Sequence, residues 1–168
     1  EIGWIESRRG EMLGFWSKVE DGTIPTRVTH NDTKCSNVLF DKNTFEHLSV
    51  IDLDTVMPGL VGFDFGDAIR STANTSGEDE RDIKKVALDM KKYEAFTRGF
   101  VGKVGASLTV TMAVECGMRF LTDYLDGDKY FRIRYPEHNL TRSRCQLTLA
   151  KNMLERLDEM QKVVEKYI

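Results

Sequence analysis

The chain has 168 residues, of which 40% are hydrophobic and 30% charged, and its net charge is −3. That length suits one soluble domain burying about two-thirds of its unfolded surface, and the mild acidity argues against a nucleic-acid surface. No run approaches the ~20 apolar residues of a membrane span; Cys35, Cys116 and Cys145, odd in number and without C-x-x-C spacing, read as reduced thiols of a cytosolic protein, not a disulfide framework or zinc site.

The first predicted element is a helix. Ile5, Met12, Phe15, Trp16 and Val19 recur at helical spacing, and Asp21-Gly22 ends the run. The sequence begins with Glu1 inside this helix, not with Met, so a longer protein is expected.

The segment His30-Asn31-Asp32-Thr33-Lys34-Cys35-Ser36-Asn37 carries the chemistry. It satisfies the H-x-D-x-x-x-x-N spacing of a kinase catalytic loop. Phosphoryl transfer from Mg-ATP asks a carboxylate to take the acceptor's hydroxyl proton, and oxygen ligands to hold Mg²⁺ on the phosphates. Magnesium keeps several waters, so one carboxylate and one amide oxygen suffice. Val38-Leu39-Phe40 and Leu48-Ser49-Val50-Ile51 read as two short strands joined by the polar turn Asp41-Lys42-Asn43-Thr44. Such a hairpin brings Asn37 near Asp52, 20 residues past Asp32 (52 − 32), so that one ion touches both. Asn and Asp are also common turn caps; it is the whole set in order that points to catalysis.

Asp64-Phe65-Gly66 spells the D-F-G of protein kinases, but no strand leads into it. Asp64 is therefore expected to cap a short helix through Asp67-Ala68-Ile69-Arg70, its carboxylate meeting free backbone N–H groups.

Downstream the pattern is helical. Thr72 to Glu80 is a polar loop in which Ser76-x-x-Asp79 suggests a helix start. Ile83, Val86 and Ala87 open an apolar face that Tyr93, Phe96 and Phe100 continue, with Asp89 capping a second helix and Gly102 and Gly105 ending it. Leu108, Met112, Met118, Leu121 and Leu125 form the next stripe, closed by Asp126-Gly127-Asp128. From Asn139, the residues Ala150, Met153, Leu154, Leu157, Met160, Val163 and Val164 mark one long final amphipathic helix.

The loop, with His-Asn-Asp-Thr-Lys at 30–34, Val-Ile-Asp-Leu-Asp-Thr-Val-Met-Pro-Gly at 50–59, Phe63-Asp64-Phe65-Gly66-Asp67-Ala68-Ile69-Arg70 and Arg119-Phe120-Leu121-Thr122-Asp123-Tyr124-Leu125, resembles the aminoglycoside phosphotransferase and choline kinase group. Within that group it is most similar to N-acetylhexosamine 1-kinases. The resemblance runs from about residue 26 to the end. It implies an α+β, predominantly helical fold: the C-terminal lobe of a protein-kinase-like fold with a small catalytic-loop β-hairpin. Residues 1–168 would form the catalytic and substrate-binding lobe, with an N-terminal ATP-binding lobe outside the chain. The sequence indeed lacks a Gly-rich phosphate-covering loop and a strand lysine with a helix glutamate, both used to hold ATP.

The resemblance further implies Asp32 as catalytic base, Asn37 and Asp52 as ligands of Mg²⁺ and hence of the ATP phosphates, and His30 as a loop support. Lys34 sits where protein kinases place a lysine near the transferred phosphate, although a solvated loop lysine is an equal reading. Asp54 replaces the glycine of D-F-G; it would hold a second ion or the substrate's hydroxyls. Arg119, Asp123 and Tyr124 share a helix face that would hydrogen-bond a sugar, alongside Asp32 and Asp54. An i,i+4 salt bridge between Arg119 and Asp123 is the competing reading. Tyr130 and Phe131 would either stack on a sugar ring or pack inside.

The expected activity is ATP- and Mg-dependent phosphorylation of the anomeric 1-OH of an N-acetylhexosamine in the cytoplasm, with no nucleic-acid or membrane partner. Aminoglycoside, choline and homoserine-type acceptors are alternatives within the family. A haloacid-dehalogenase-type phosphatase using Asp52 is a different class of reading, because Asp52-Leu53-Asp54-Thr55-Val56 offers a nucleophile and general acid two residues apart. A binding lobe inactive by itself is the third.

Overall fold

The computed structural model describes residues 1–100 and 106–167. Among them six helices and four short strands follow in the order α1 (Ile2–Glu20), β1 (Arg27–Thr29), β2 (Val38–Phe40), β3 (His47–Val50), β4 (Met57–Gly59), α2 (Val61–Thr72), α3 (Met90–Phe100), α4 (Ala106–Leu125), α5 (His138–Glu155) and α6 (Leu157–Glu165). No described helix is long and apolar enough to cross a membrane.

The core lies among α2 to α6. Phe65 and Ile69 of α2, and Ala73 just past its end, meet Tyr93 of α3, Val110, Ala113 and Val114 of α4, Leu149, Ala150 and Met153 of α5, and Met160 and Val164 of α6. These residues recur at three- and four-residue steps, so each helix turns one apolar stripe inward. Phe65 packs edge-on against Tyr93 at 6.1 Å and against Phe100 at 5.2 Å, spacings typical of favourable ring pairs. Gly117 sits where α4 meets α5, its missing side chain leaving room for Leu147 and Gln146. The three cysteines are free; burial pushes the Cys116 thiol up to about 12, so it stays protonated.

Helix α1 behaves differently. It buries no residue completely, although Trp4 and Met12 lean on the core, and Phe15 and Trp16 pack against Phe63 of α2 at 5.7 and 6.1 Å.

The strands form two separate antiparallel ribbons. The predicted hairpin is present: β2 pairs β3 with Val38 opposite Val50 and Leu39 opposite Ser49, and a register shift follows before Phe40. Asp41 Oδ1 closes its turn by accepting from Asn43 N and Thr44 N, at 2.8 and 2.9 Å. The second ribbon has no clear sequence signal. In it β1 pairs β4, Thr29 lying opposite Met57 and Arg27 opposite Gly59. Pro58 is tolerated because both strands are edges. Position 59 has to be glycine, since a Cβ there would collide with Thr29 Oγ1 and Asn31 Oδ1.

Four expectations need correction. Asp64 is not a helix cap: α2 begins at Val61 with Leu60 before it, and Asp64 lies in the first turn facing the loop from His30 to Asn37. No helix begins at Ser76. There Thr75 Oγ1 donates to Lys85 O at 2.6 Å and accepts from Ala87 N at 2.9 Å, holding 83–88 as a single 3₁₀ turn and a bridge between Asn74 and Leu88. Asp79 instead accepts from His138 Nε2 at 3.2 Å, at the start of α5. The long final helix is two helices, broken at Arg156 (φ −110°, ψ 13°). Without a glycine or proline the break looks silent in sequence, but Arg156 Nη1 donates to Leu88 O at 2.7 Å, and α6 turns to set Met160 beside Tyr93. Leu125, assigned to an apolar stripe, is exposed. Asp89 does cap α3, accepting from Lys91 N and Lys92 N. Gly102 and Gly105 lie outside the described residues.

Candidate active site

The loop from His30 to Asn37 lies between the two ribbons and the N-terminal half of α2. Its backbone has few partners of its own, so side chains from elsewhere fix it. Asp64 Oδ2 accepts from His30 N at 2.8 Å, and Oδ1 accepts from Asn31 N at 2.7 Å. Thr33 Oγ1 donates to Asp64 O at 2.5 Å. Thr55 Oγ1 donates to His30 O at 2.6 Å, and Asn31 Nδ2 donates to Thr55 O at 2.9 Å. His30 Nε2 lies 3.1 Å from Ile51 O; a carbonyl only accepts, so Nε2 carries the proton. The histidine thus ties the loop to the residue before Asp52.

Two non-glycine residues here have left-handed backbones, Asn31 at φ 61° and Asp52 at φ 65°. Asn and Asp tolerate that region best, at about 1 kcal/mol each. Asn31 lies inside the loop motif beside Asp32, and Asp52 is itself one of its candidate cation ligands.

Asp32 receives two donors. Lys34 Nζ is 2.5 Å from Asp32 Oδ2, and Asn37 Nδ2 donates to the same oxygen and to Asp32 O, both at 2.9 Å. Burial works against the charge on Asp32, but the hydrogen bonds from Lys34 and Asn37, helped by the charges of Lys34 and Arg70, outweigh it and hold the carboxyl below its ordinary range. Lys34 is raised in turn, first by its bond to Asp32, with burial opposing and the charges of Asp32, Asp52 and Asp67 adding. The same ammonium lies 3.9 Å from Asp52 Oδ2. One cation therefore spans the two carboxylates.

Asn37 is brought to Asp52 by one further rung of the hairpin, Ile51 N donating to Asn37 O at 2.9 Å. Because its Nδ2 is committed to Asp32, the amide oxygen of Asn37 is the end left for a cation. Asp52, its side chain half exposed, has Lys34 as its only ion-pair partner among the described residues. A hard cation that keeps most of its waters is suited by such a pair, and Mg²⁺ fits these donors. No group of three or more His, Cys, Asp or Glu among the described residues forms a metal cage. Asp54, on the 3₁₀ turn Leu53–Thr55, is exposed.

The other candidates part company. Asp123 turns inward: it accepts from Tyr130 N and Phe131 N at 2.8 and 3.0 Å and from Asn139 Nδ2 at 2.8 Å. Burial opposes its charge, yet the backbone N–H groups of Phe131, Tyr130 and Lys129 hold its carboxyl low. The Arg119–Asp123 salt bridge does not form. Arg119 pairs instead with Glu115 at 3.8 Å and lies over the Phe131 ring at 5.4 Å. Tyr124 is half-buried and does not line the open groove bounded by Arg119, Asp123, Tyr130 and Phe131.

Two cavities flank the loop. One, of about 280 Å³, is mostly apolar and lies between α1, α2 and α4, with Trp16, Phe63, Asn31 and Arg119 in its wall. The other, of about 250 Å³, opens beside Lys34 and is lined mostly by polar residue types. Sequence reading missed two of its charged residues, Arg70 and Glu78, and Gln146. Arg70 pairs with Asp67 and, at 3.0 Å, with Glu78. An arginine and an aspartate three apart on a helix were legible as a pair; their nearness to Lys34 was not.

The family model for the phosphotransferase enzyme family APH matches residues 5–99. The match covers more than half of the chain and includes the whole loop, the hairpin and Asp64. The chain belongs to that family. It is accordingly a kinase-type phosphotransferase acting on a small molecule, of a family that generally uses ATP and Mg²⁺ and has a protein-kinase-like fold. The helix-rich architecture with two small ribbons is compatible with the helical lobe of that fold.

Proposed function

We propose that this chain supplies the catalytic and acceptor-binding lobe of an ATP- and Mg²⁺-dependent kinase that phosphorylates the anomeric hydroxyl of an N-acetylhexosamine. Asp32 orients the attacking hydroxyl and accepts its proton. Asn37 and Asp52 would hold Mg²⁺, which when bound offsets charge on the nucleotide's β- and γ-phosphates. Lys34 keeps Asp32 ionised and provides positive charge beside the transferred phosphoryl group. Asp54 is available as a further ligand or as an acceptor for a substrate hydroxyl.

The observation that supports this reading is the convergence of Asp32, Asn37 and Asp52. One amide and one ammonium both contact Asp32, and the ammonium also reaches Asp52. A base held below its ordinary range is a weak base. That suits a loose transition state, in which the acceptor's proton leaves late and positioning matters more than basicity. The choice of sugar rests on the sequence resemblance around residues 30–34, 50–59 and 119–125.

The reading in which Asp52 is a phosphatase nucleophile finds little support. Among the described residues one strand follows Asp54, and it pairs antiparallel with β1. Among the described residues no parallel sheet carries that motif.

The test is Asp32→Asn in the intact enzyme that carries this chain, assayed by ADP release with N-acetylglucosamine. Turnover is expected to fall by roughly 10²–10⁴-fold, with sugar affinity retained in calorimetry. Turnover within a few-fold of the parent would overturn the assignment of the base.

A further inference from the structure

The segment from Ile51 to Pro58 carries Asp52 and Asp54 with almost no apolar support. Within it Thr55 alone is partly buried, and every other residue is exposed. Side-chain burial therefore does not fix where this segment lies. Hydrogen bonds, with their narrow range of lengths and angles, have to do so.

Those bonds bracket Asp52. On its N-terminal side Ile51 N donates to Asn37 O at 2.9 Å, and His30 Nε2 lies 3.1 Å from Ile51 O. On its C-terminal side the anchor is Thr55. The Thr55 hydroxyl donates to His30 O at 2.6 Å, and the Thr55 carbonyl accepts from Asn31 Nδ2 at 2.9 Å. Both partners immediately precede Asp32. Between the two anchors, the described residues show one link from 52–54 to the loop, the 3.9 Å approach of Lys34 Nζ to Asp52 Oδ2.

Asp52 also holds a left-handed backbone at φ 65°. A residue with a side chain keeps such a conformation only where its surroundings over-determine it. Here that requires an anchor on each side; without the one at Thr55 the turn is free to relax. Thr55 is also the most selective probe of this arrangement. Asn31 shares its side chain with the apolar cavity against α1, whereas Thr55 lines neither of the two cavities that flank the loop.

We infer that Thr55 is a positioning residue for phosphoryl transfer: its grip on His30 and Asn31 holds residues 52–54 against the loop, and so keeps Asp52 available beside Asn37 for the divalent cation. The inference rests on the kinase reading given above. It adds to that reading the group that keeps Asp52 in place.

The experiment uses the intact enzyme with Thr55→Val and Thr55→Ser, and reads cation binding apart from turnover. Mn²⁺, which takes octahedral oxygen ligands as Mg²⁺ does, is titrated in the presence of ADP, its free fraction followed by electron paramagnetic resonance. Thr55→Val keeps the branched shape and loses the O–H donor. Its Kd for Mn²⁺ should rise roughly tenfold, the loss of one hydrogen bond. The half-saturating Mg²⁺ in turnover should rise in step, with KM for N-acetylglucosamine changed less than about twofold. Thr55→Ser keeps the donor and should stay within about threefold of the parent. If the valine variant does not fold, Thr55→Ala, which also lacks the hydroxyl, is read in the same way. A lower melting temperature with unchanged Mn²⁺ affinity would make Thr55 a structural residue only and overturn the inference. A serine variant that binds Mn²⁺ as weakly as the valine variant would overturn it too. The kinase reading fails separately, if Asp52→Asn leaves the Mn²⁺ affinity of the parent unchanged.

Discussion

The helical core and the two ribbons are held together by different forces. From Phe65 to Val164 the packing is apolar and deep: Ile69, Tyr93, Leu149, Met153 and Met160 are fully buried. The hairpin buries almost nothing; Leu39, Phe40, Leu48 and Val50 are all exposed. Directional bonds fix the loop beside it, chiefly those of Asp64, Thr55 and Asn31, and His30 and Asn37 tie that loop to the hairpin at Ile51. Apolar packing is tolerant of small displacement and resists solvent, so it sets where the helices lie. Hydrogen bonds have fixed lengths and angles, so they set where a carboxylate or an amide points. Phosphoryl transfer depends on the second property, and the frame that must survive thermal motion depends on the first.

The contrast is broken most strongly from the core side. Met153→Ala removes a fully buried side chain from the contact of α5 with its neighbours. It should cost about 2–5 kcal/mol of global stability, read as a lower urea midpoint, while KM and kcat of the protein that remains folded stay within a few-fold. A loss of activity without a loss of stability would show the two regions to be less separate than their packing implies.

Asp64→Ala addresses the other region. It strips the partners of His30 N and Asn31 N, two donors held in the loop. A global cost of about 2–3 kcal/mol is expected, smaller than that of the core deletion at its upper end. The larger response should be local. Amide exchange should quicken at residues 30–37 and remain slow in α4 and α5, and turnover should fall more than tenfold. Uniformly faster exchange throughout would assign Asp64 to the core rather than to the loop.

The smallest effect separates the regions by pH. Apolar burial carries no protons, whereas the Asp32–Lys34 pair does. The Asp32 carboxyl is lowered by folding, so its contribution is present above the ordinary aspartate range near 3.8 and fades as pH falls through the lower folded value. Lys34 is raised; its contribution is present below 10.5 and is lost as pH rises through the higher folded value. Melting curves of the parent and Lys34→Met should therefore run a constant distance apart from about pH 5 to 9 and converge at both extremes. Curves parallel over the whole range would mean that the pair adds nothing to stability, as many exposed pairs do.

Much of this was legible in residue order. The loop spacing from His30 to Asn37, the hairpin around Asp41–Thr44, helix α1 and the cap at Asp89 all follow from patterns a few residues long. Each is decided by local backbone preference or by which face of one element is apolar, and neighbours in sequence carry that information. Tertiary structure alone decided what each polar group faces. Asp64 reads as a helix cap because its nearest donors in sequence are in its own helix, but its partners are His30 and Asn31. Asp123 and Arg119 are four apart on one helix, yet the first turns to Asn139 and the second to Phe131 and Glu115. The break at Arg156 answers a carbonyl at Leu88, and the cavity that unites Lys34, Arg70 and Gln146 joins segments more than a hundred residues apart. A hydrogen bond is settled by whatever comes within about 3 Å, and for these groups that is fixed by how the helices stack, not by the residues on either side.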